Sequence, residues 1–358
     1  MKREELNFST SAPGRVCLFG EHQDYLNLPV IPCAISLRIN IEGKKQAGNQ
    51  IHLDLPDIKK NEKFYVNRLL EYHTERDYFK STMNVMQANN FTFSTGFEGI
   101  VNGEIPINSG TSSSSALIVA WVNLLAKISD QAITLPPEDI AAFAHQAEVT
   151  EFNEPGGKMD HYSCALGGTI FLDFEPELKV TTLKNSLKTI VLGDSGEPKS
   201  TTAILSRVKN GVLEIINKIC KEESSFSLRN LQLEDVGKYE NILTFDQHSL
   251  LTATLKNYQI TLEAKQIFDA ASFDHKAVGS LLTKHHDILN KDLNISTPKI
   301  EKMIEAALNA GAYGAKINGS GGGGCMFAYA PENPEEVAEA IISCGGKVYV
   351  VQPEDGVK

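Results

Sequence analysis

The sequence predicts a mixed α/β (α+β) protein of two domains with a cleft between them. Three observations support this prediction. The chain has 358 residues, which is more than most single hydrophobic cores contain. Its first ~100 residues alternate short β-branched runs with polar turns. Helical periodicity dominates the later part of the chain, and strand-like runs return at its end.

The first half gives the following elements in chain order. Apolar and β-branched runs predict strands at residues 30–35, 37–41 and 91–93. Between residues 111 and 128 the apolar side chains follow a period near 3.6 after a run of serines, which predicts a helix entered from a Gly/Ser loop. A second helix at about 137–151 precedes a Pro-Gly-Gly break, and a strand follows at 169–174.

Turn-forming composition at residues 194–198 predicts the domain junction, so we expect one domain at 1–195 and a second at 196–358. The second domain begins with helices, including 250–271 and 297–310. It ends with two strands, a helix and a last strand, in this order: 313–317, 325–329, 334–343 and 347–351.

Composition excludes several classes of function. A net charge of −11, with no basic stripe, opposes binding to nucleic acid. No apolar run approaches the ~20 residues that span a bilayer, and the first residues lack a signal-peptide core, so we expect a cytoplasmic protein. The six cysteines show no CxxC pair and no nearby histidine spacing, which argues against a zinc site or a disulfide framework.

The segment GEIPINSGTSSSSALIVA, residues 103–120, points to phosphate binding. Small residues let the backbone approach a ligand closely, and the first turn of a helix offers unpaired N–H groups to phosphate oxygens. The segment is neither a Walker A loop, since GK[ST] is missing, nor GxGxxG. A serine-rich cap in an ordinary loop would give the same pattern.

A second small-residue run, KINGSGGGGC at residues 316–325, lies between two predicted strands. Five glycines in six positions suit a backbone that must approach another group closely, although a flexible hairpin loop is the alternative. Two such loops in one chain favour a polyphosphate ligand.

Polar groups with catalytic chemistry occur in two further segments. APGRVCLFGEHQDY, residues 12–25, places clustered hydrogen-bonding side chains after an apolar strand, which suits a polyhydroxylated ligand but also a solvated turn. Glu148 and Asp160 form a carboxylate pair of the kind that can hold Mg²⁺ and accept the proton of an attacking hydroxyl. Among 45 acidic residues, such a pair gains meaning only from its context.

These segments together resemble the GHMP kinase superfamily, and within it the galactokinases. The N-terminal segment is similar to the galactokinase signature, and the two loops resemble the family's phosphate loop and C-terminal glycine loop. HQAEVTEFNEPGGKMDHYSCALGG, residues 145–168, resembles the segment that carries the family's Mg²⁺ glutamate and catalytic aspartate. The resemblance implies a β-rich N-terminal domain, a ferredoxin-like C-terminal domain and an active site in the cleft.

The resemblance also implies residue roles. Asp160 would be the catalytic base and Arg15 its cationic partner, with Ser114 and Glu148 as Mg²⁺ ligands. The sugar would be bound by Glu21, His22, Asp24 and Gly157. The phosphates of ATP would be bound by Ser109, Gly110, Ser112, Ser113 and Ser114. The implied reaction is ATP-dependent phosphorylation of galactose or a related monosaccharide at its anomeric C1 hydroxyl. We expect the protein to act as a monomer or homodimer without nucleic-acid or membrane partners.

Several departures from the galactokinase pattern keep other acceptors open. Cys17 and Leu28 replace Asn and Gly, and Gly-Gly-Lys-Met-Asp-His at residues 156–161 replaces Cys-Gly-Ile-Met-Asp-Gln. Residues 193–205 resemble mevalonate kinases, yet those enzymes have Lys at the position of Arg15 and lack the HxDY of residues 22–25. The alternatives are therefore a mevalonate kinase, a heptose or uronic acid kinase, or a non-catalytic sugar and ATP sensor.

Overall fold

The computed structural model describes residues 8–66, 69–198 and 201–358. Its strands are β1 (Phe8–Phe19), β2 (Ile31–Gln46), β3 (Gln50–Leu55), β4 (Lys60–Tyr65), β5 (Gly96–Gly103), β6 (Ile170–Asp173), β7 (Lys179–Thr182), β8 (Ile190–Asp194), β9 (Gly314–Ile317), β10 (Cys325–Tyr329) and β11 (Lys347–Val351). Its α-helices are α1 (Tyr78–Ala88), α2 (Ser113–Ile128), α3 (Pro137–His145), α4 (Met159–Leu166), α5 (Thr201–Glu222), α6 (Phe245–Asp269), α7 (His275–Asp287), α8 (Pro298–Asn309) and α9 (Pro334–Ser343).

The first layer is a five-stranded sheet of order β1-β2-β5-β3-β4. All of its pairings are antiparallel except that of β3 with β5. The central helix α2 lies against β1 and β2, and it buries Trp121 completely. The helices α1, α3 and α4 pack around α2, so α2 is enclosed between them and the sheet.

Strand β1 is buried on both faces. Cys17 belongs to the core under α2, whereas its neighbours Val16 and Leu18 belong to a core shared with the second layer. Successive side chains of a strand point to opposite faces, so a strand covered on both sides needs an unbroken apolar run. The run Val-Cys-Leu-Phe meets this requirement, and it brings the polar turn that follows β1 to the junction of the two layers.

The second layer is a four-stranded antiparallel sheet of order β11-β8-β10-β9. Helices α8 and α9 cover one face of this sheet, and α7 packs along β9. The long helix α6 contacts α5, α7 and β1, which ties the helical part of the second half to the first layer.

Residues 352–358 leave β11 and return to the first layer, and we call them the return segment. Gly168 N donates to Glu354 O at 2.7 Å. Lys358 and Ser11 exchange two backbone hydrogen bonds of 2.8 and 3.0 Å. The return segment therefore extends the hydrogen bonding of β1 and of the loop after α4.

The predicted α/β (α+β) class is confirmed. Most elements lie close to their predicted bounds, and β10, α9 and β11 coincide with them. The strand predicted at residues 91–93 is wrong, since Phe91 and Phe93 fill the core after α1 while the strand begins at Gly96. The strands predicted at 30–35 and 37–41 are one continuous strand, β2. The helix predicted to residue 151 changes at Gln146 into a π-helical turn.

The division into residues 1–195 and 196–358 stays a prediction. Strand β8 precedes residue 195 but pairs within the second sheet, so the second sheet includes residues from before the predicted boundary. In the part of the chain that the structure describes, no helix is both long and apolar enough to cross a membrane.

Candidate active site

A cleft of about 240 Å³ lies where the two layers meet. Five segments contribute to it: β1 with the turn after it, residues 76–78 at the start of α1, the loop before α2, residues 148–161 and the glycine loop after β9. Its polar lining includes Arg15, Glu21, His22, Asp24, Ser112, Ser113, Ser114, Ser115, Glu148, Asp160 and His161. All but two of these residues, Ser115 and His161, were predicted site residues.

Asp160 and Arg15 form an ion pair in this cleft. Arg15 Nε donates to Asp160 Oδ1 at 2.8 Å, and Nη2 lies 2.7 Å from the same oxygen. Arg15 is almost fully buried, whereas the Asp160 side chain is 31% exposed. Burial alone would raise the pKa of Asp160, but the charge and hydrogen bond of Arg15 outweigh it, so this pKa lies below its usual value. Asp160 is thus ionised at neutral pH, and Oδ2 is not used by Arg15.

Glu148 is held by hydroxyl groups and by a histidine. Its Oε2 accepts hydrogen bonds from Ser115 Oγ and pairs with His161 Nε2, both at 2.7 Å. Burial raises the pKa of Glu148, but His161 and the hydroxyls of Ser114 and Ser115 lower this pKa by a larger amount. The pKa of Glu148 therefore lies below its usual value. The π-helical turn at residues 146–150 places this carboxylate toward the start of α2. Both of these contacts use Oε2, and neither uses Oε1.

The loop before α2 presents its backbone to the cleft. Ser112 has a left-handed backbone (φ 60°) and caps α2 without a side-chain hydrogen bond. The N–H groups of the first turn of a helix have no partner within the helix, so those of Ser113 and its successors remain available. Together with the dipole of a 16-residue helix, they form a site for anionic oxygens.

Ser109 lies behind this loop surface. It is 2% exposed, and its hydroxyl donates to Pro106 O and pairs with Thr111 Oγ1, both at 2.8 Å. Its carbonyl accepts from Cys325 N at 2.8 Å. The role of Ser109 as a phosphate ligand stays a prediction, and the geometry gives its hydroxyl a loop-shaping contact instead.

Asp24 lines the same cleft as Asp160. Its carboxylate accepts from Tyr25 N at 2.9 Å and from Met159 N at 3.3 Å. A Cβ at Gly157 would lie 1.9 Å from Asp24 Oδ2, so any larger residue there would displace this carboxylate. Burial first, and then the charge of Asp160, raise the pKa of Asp24 to about 6.

Glu21 and His22 are tied into the protein. Glu21 is 1% exposed and forms a buried ion pair with Lys316 Nζ. His22 Nδ1 pairs with Tyr25 Oη at 2.8 Å, and Nε2 pairs with Ser320 O at 3.1 Å. Their predicted sugar contacts stay predictions, and the partners seen here support a role in fixing the turn.

The glycine loop after β9 reaches both β1 and the loop before α2. Asn318 Oδ1 accepts from Cys17 N at 2.9 Å, and Asn318 Nδ2 donates to Gly110 O at 2.8 Å. Gly321 and Gly323 adopt φ values of 83° and 120°, in the region that favours glycine. The run of glycines therefore lets this segment fold closely against the first layer.

A second, mainly apolar pocket of about 360 Å³ adjoins the phosphate loop. Ile105, Ile107 and Leu117 line it beside Ser113 and Ser114. A flat apolar ring attached to phosphates on the loop would fit this position.

The site has the donor chemistry for a hard cation. Mg²⁺ prefers oxygen ligands and is commonly held by one or two carboxylates together with substrate phosphates. Glu148 with the hydroxyl of Ser114 provides such oxygens beside the phosphate loop. Among the described residues no group of three or more His, Cys, Asp or Glu side chains could bind a metal alone. The arrangement therefore fits a cation that arrives with a phosphate ligand.

Sequence reasoning missed several residues of this site, among them Arg76, Tyr78, Ser115, His161, Lys316 and Asn318. His161 was noted only as a departure from a pattern, and Ser115 only as one of a run of serines. The glycine run gave a signal for the loop of Asn318, but none for its contacts across the layers. Lys316 is fully buried, and no local pattern marks a lysine as buried.

Comparison with protein families gives three matches along the chain. Residues 77–168 match the N-terminal domain of the GHMP kinases, and residues 266–347 match the C-terminal part of the GHMP kinases. Residues 2–45 match a galactokinase galactose-binding signature. These three regions contain the turn, the phosphate loop, the carboxylates and the glycine loop.

Curated relatives divide between two activities. A mevalonate kinase of Pyrococcus furiosus is 27% identical, covering 97% of this chain and 97% of its own. A galactokinase of Haemophilus influenzae is 28% identical, covering 93% of this chain and 87% of its own.

Solved structures share the fold. Lactococcus lactis galactokinase complexed with galactose gives a TM-score of 0.85 at 21% identity, over 98% of this chain and 94% of its own. Methanococcus jannaschii mevalonate kinase gives 0.75 at 20% identity, over 99% of this chain and 100% of its own.

Proposed function

Because the chain belongs to the GHMP kinase superfamily, we propose that it transfers the γ-phosphoryl group of Mg-ATP to a hydroxyl of galactose or a related monosaccharide. The anomeric C1 hydroxyl is the proposed acceptor. One observation carries the proposal: an ionised, half-buried Asp160 is paired with Arg15 in the same cleft as the phosphate loop. We further propose that the protein works in the cytoplasm as a monomer or homodimer.

The proposed chemistry is a direct displacement. The acceptor oxygen forms a bond to the γ-phosphorus while the bond from that phosphorus to the β–γ bridging oxygen breaks, and ADP leaves with the electron pair. Asp160 Oδ2 takes the proton of the hydroxyl. Arg15 keeps Asp160 ionised, and its guanidinium offsets charge on the transferring group.

ATP would be bound by two adjoining regions. The loop of Gly110, Ser112, Ser113 and Ser114 would bind phosphates through backbone N–H groups and hydroxyls. The apolar pocket beside this loop would receive the base. Glu148 and Ser114 would hold Mg²⁺, which when bound neutralises charge on the phosphates.

The acceptor would lie between Asp160 and the turn after β1. Asp24 has the most accessible carboxylate of that turn, so we assign it the direct contact with ring hydroxyls, beside the backbone of Gly157. Glu21 and His22 would shape this pocket from behind, as their contacts with Lys316 and Ser320 suggest.

Mevalonate phosphorylation is the second candidate, because full-length relatives at 27% identity are mevalonate kinases. The match of residues 2–45 to the galactose-binding signature favours a sugar. A non-catalytic sensor of sugar and ATP is disfavoured by the intact Asp160, Arg15 and Glu148.

The test is ADP release by the purified chain with Mg-ATP and a panel of galactose, other aldoses, heptoses, uronic acids and mevalonate. We expect turnover with a sugar, and NMR of the product should locate the phosphate on C1. Asp160→Asn should lower kcat by ~10²–10⁴ while ATP binding stays within a few-fold. Asp173→Asn is the matched control, since Asp173 pairs with Arg229 outside the cleft. Turnover of mevalonate alone, or normal kcat in Asp160→Asn, would overturn the proposal.

A further inference from the structure

A side pocket of about 220 Å³ opens from the acceptor end of the cleft. It shares Asp24, Tyr25, Gly156 and Gly157 with the cleft, so a ligand can occupy both spaces at once. The phosphate loop does not line it. The side pocket therefore lies beyond the acceptor and not beside the nucleotide.

Two lysines line the side pocket. Lys158 directly precedes Met159, and its side chain is exposed and makes no hydrogen bond or ion pair within the described part of the chain. Lys209, on α5, donates to Pro155 O at 3.2 Å and lies 5.4 Å from the ring centre of Tyr25. Lys209 contacts no carboxylate among the described residues, so neither ammonium group is neutralised by a partner there.

The rest of the lining adds little negative charge. Asp24 is its only carboxylate, so the two ammonium groups outnumber the carboxylates of the side pocket. Burial first, then the neighbouring His161 and Lys158, lower the pKa of His145 to about 4, so this ring is neutral near pH 7. Two ammonium groups without a carboxylate partner, both lining a mostly polar pocket, attract an anion.

We propose that the acceptor carries an anionic substituent, a carboxylate or a phosphate ester, that binds between Lys158 and Lys209 in the side pocket. This inference rests on the proposed function and narrows its substrate class to acidic sugars. The ring hydroxyls contact Asp24, the reacting hydroxyl faces Asp160, and the acidic group extends past Gly157. The pattern of residues 156–161 departs from galactokinases at Lys158, and the ammonium group of Lys158 would bind the anionic group of the acceptor.

The experiment compares D-galactose, D-galacturonate and D-galactose 6-phosphate as acceptors with saturating Mg-ATP. We expect at least one acidic sugar to have a kcat/KM 10-fold or more above that of galactose. The better of the two acids identifies the anionic group as a carboxylate or a phosphate ester. Equal or higher kcat/KM for galactose would overturn the inference while leaving the proposed function intact.

Variants of the two lysines test whether Lys158 and Lys209 act specifically on acidic acceptors. Lys158→Met and the double variant with Lys209→Met should lower kcat/KM for the preferred acid 10-fold or more, and change that for galactose less than threefold. Lys238→Met is the matched control, because Lys238 is exposed and pairs with Asp235 away from the cleft. Equal losses for acidic and neutral sugars would contradict the inference.

Calorimetric binding of the same sugars without ATP keeps the two proposals distinguishable. If no sugar turns over but an acid binds in a manner that depends on Lys158, the proposed phosphorylation fails and the anion site stands. If no acid binds more tightly than galactose, the anion site fails.

Discussion

At the scale of single residues, the environment of Glu148 differs most from what its sequence pattern implies. Its Oε2 is shared by Ser115 and His161, and the His161 ring lies buried between Glu148 and the ring of His145. Fixing one oxygen of a carboxylate orients the other, as partners of metal ligands commonly do. We interpret His161 as a positioning residue for Glu148.

His161→Phe should therefore weaken the metal site without removing a metal ligand. We expect about a 10-fold loss of Mn²⁺ affinity in the presence of ATP, measured by electron paramagnetic resonance, and a matching rise in the Mg²⁺ needed for activity. His161→Gln can still donate a hydrogen bond and should retain most of the affinity. If the Phe variant binds Mn²⁺ normally, His161 only fills space.

The pKa of Asp24, raised to about 6, gives a second prediction at this scale. Hydroxyl groups donate to the ionised carboxylate, so kcat/KM for the acceptor should fall about tenfold between pH 7 and pH 5, as expected of one titrating group. The pKa values of Asp160 and Glu148 are shifted downward, so neither accounts for a change near pH 6. KM for ATP should change little.

Titration of Asp24 affects folding stability in the opposite direction: stability falls as the pH rises, whereas kcat/KM for the acceptor increases. The pKa of Asp24 in the folded chain lies above its ordinary value of 3.8, so the protonated form stabilises the fold. This contribution is complete below about pH 3.8 and is lost as the pH rises through about 6. Asp24→Asn should remove both pH dependences, and a persistent fall in acceptor kcat/KM near pH 6 would assign it to another group.

At the scale of elements, the segment between α3 and α4 would shape the proposed acceptor pocket. It wraps over Asp24 so closely that Gly157 has no room for a Cβ. Gly157→Ala must displace the Asp24 carboxylate, so KM for the acceptor should rise 10-fold or more while KM for ATP stays within threefold. Steady-state kinetics with each substrate varied in turn measures both.

Gly237→Ala is the control for this substitution. Its added Cβ would meet only the end of the Glu240 side chain at 3.9 Å, at ordinary contact distance. An equal change in both KM values for Gly157→Ala would mean that the segment does not act on the acceptor specifically.

Local patterns predicted most elements but not the contacts between them. The period of α2 and its serine run are contained in one stretch of sequence, so helix and loop could both be predicted. The meeting of Glu148 with His161 depends on the π-helical turn, which has no sequence signature and changes the direction of the side chain. The pairing of Glu21 with Lys316 joins residues 295 positions apart, and only the tertiary fold creates it.

At the scale of the whole molecule, that pairing connects the layers. Lys316 on β9 is fully buried, and its ammonium group contacts Glu21, the carbonyl of Cys17 at 3.0 Å and that of Ile317 at 3.0 Å. Removing one partner of a buried ion pair leaves an uncompensated charge, which typically costs 3–5 kcal/mol.

Lys316→Met should accordingly lower the free energy of unfolding by about 3 kcal/mol or more, measured by urea denaturation. The double variant Glu21→Gln with Lys316→Met buries no charge and should recover part of the loss. A Lys316→Met variant as stable as the wild type would mean that the pair contributes nothing to the junction. Lys276→Met tests an exposed lysine of the same half and should change stability by less than about 0.5 kcal/mol.

The return segment has a consequence for the order in which the protein is made. Residues 352–358 supply backbone hydrogen bonds to β1 and to the loop after α4, yet the ribosome adds them after the entire second layer. A nascent chain that has emerged only as far as α4 holds all five strands of the first sheet but lacks the partners of Ser11 and Gly168. The first layer to be translated is therefore the last to be completed.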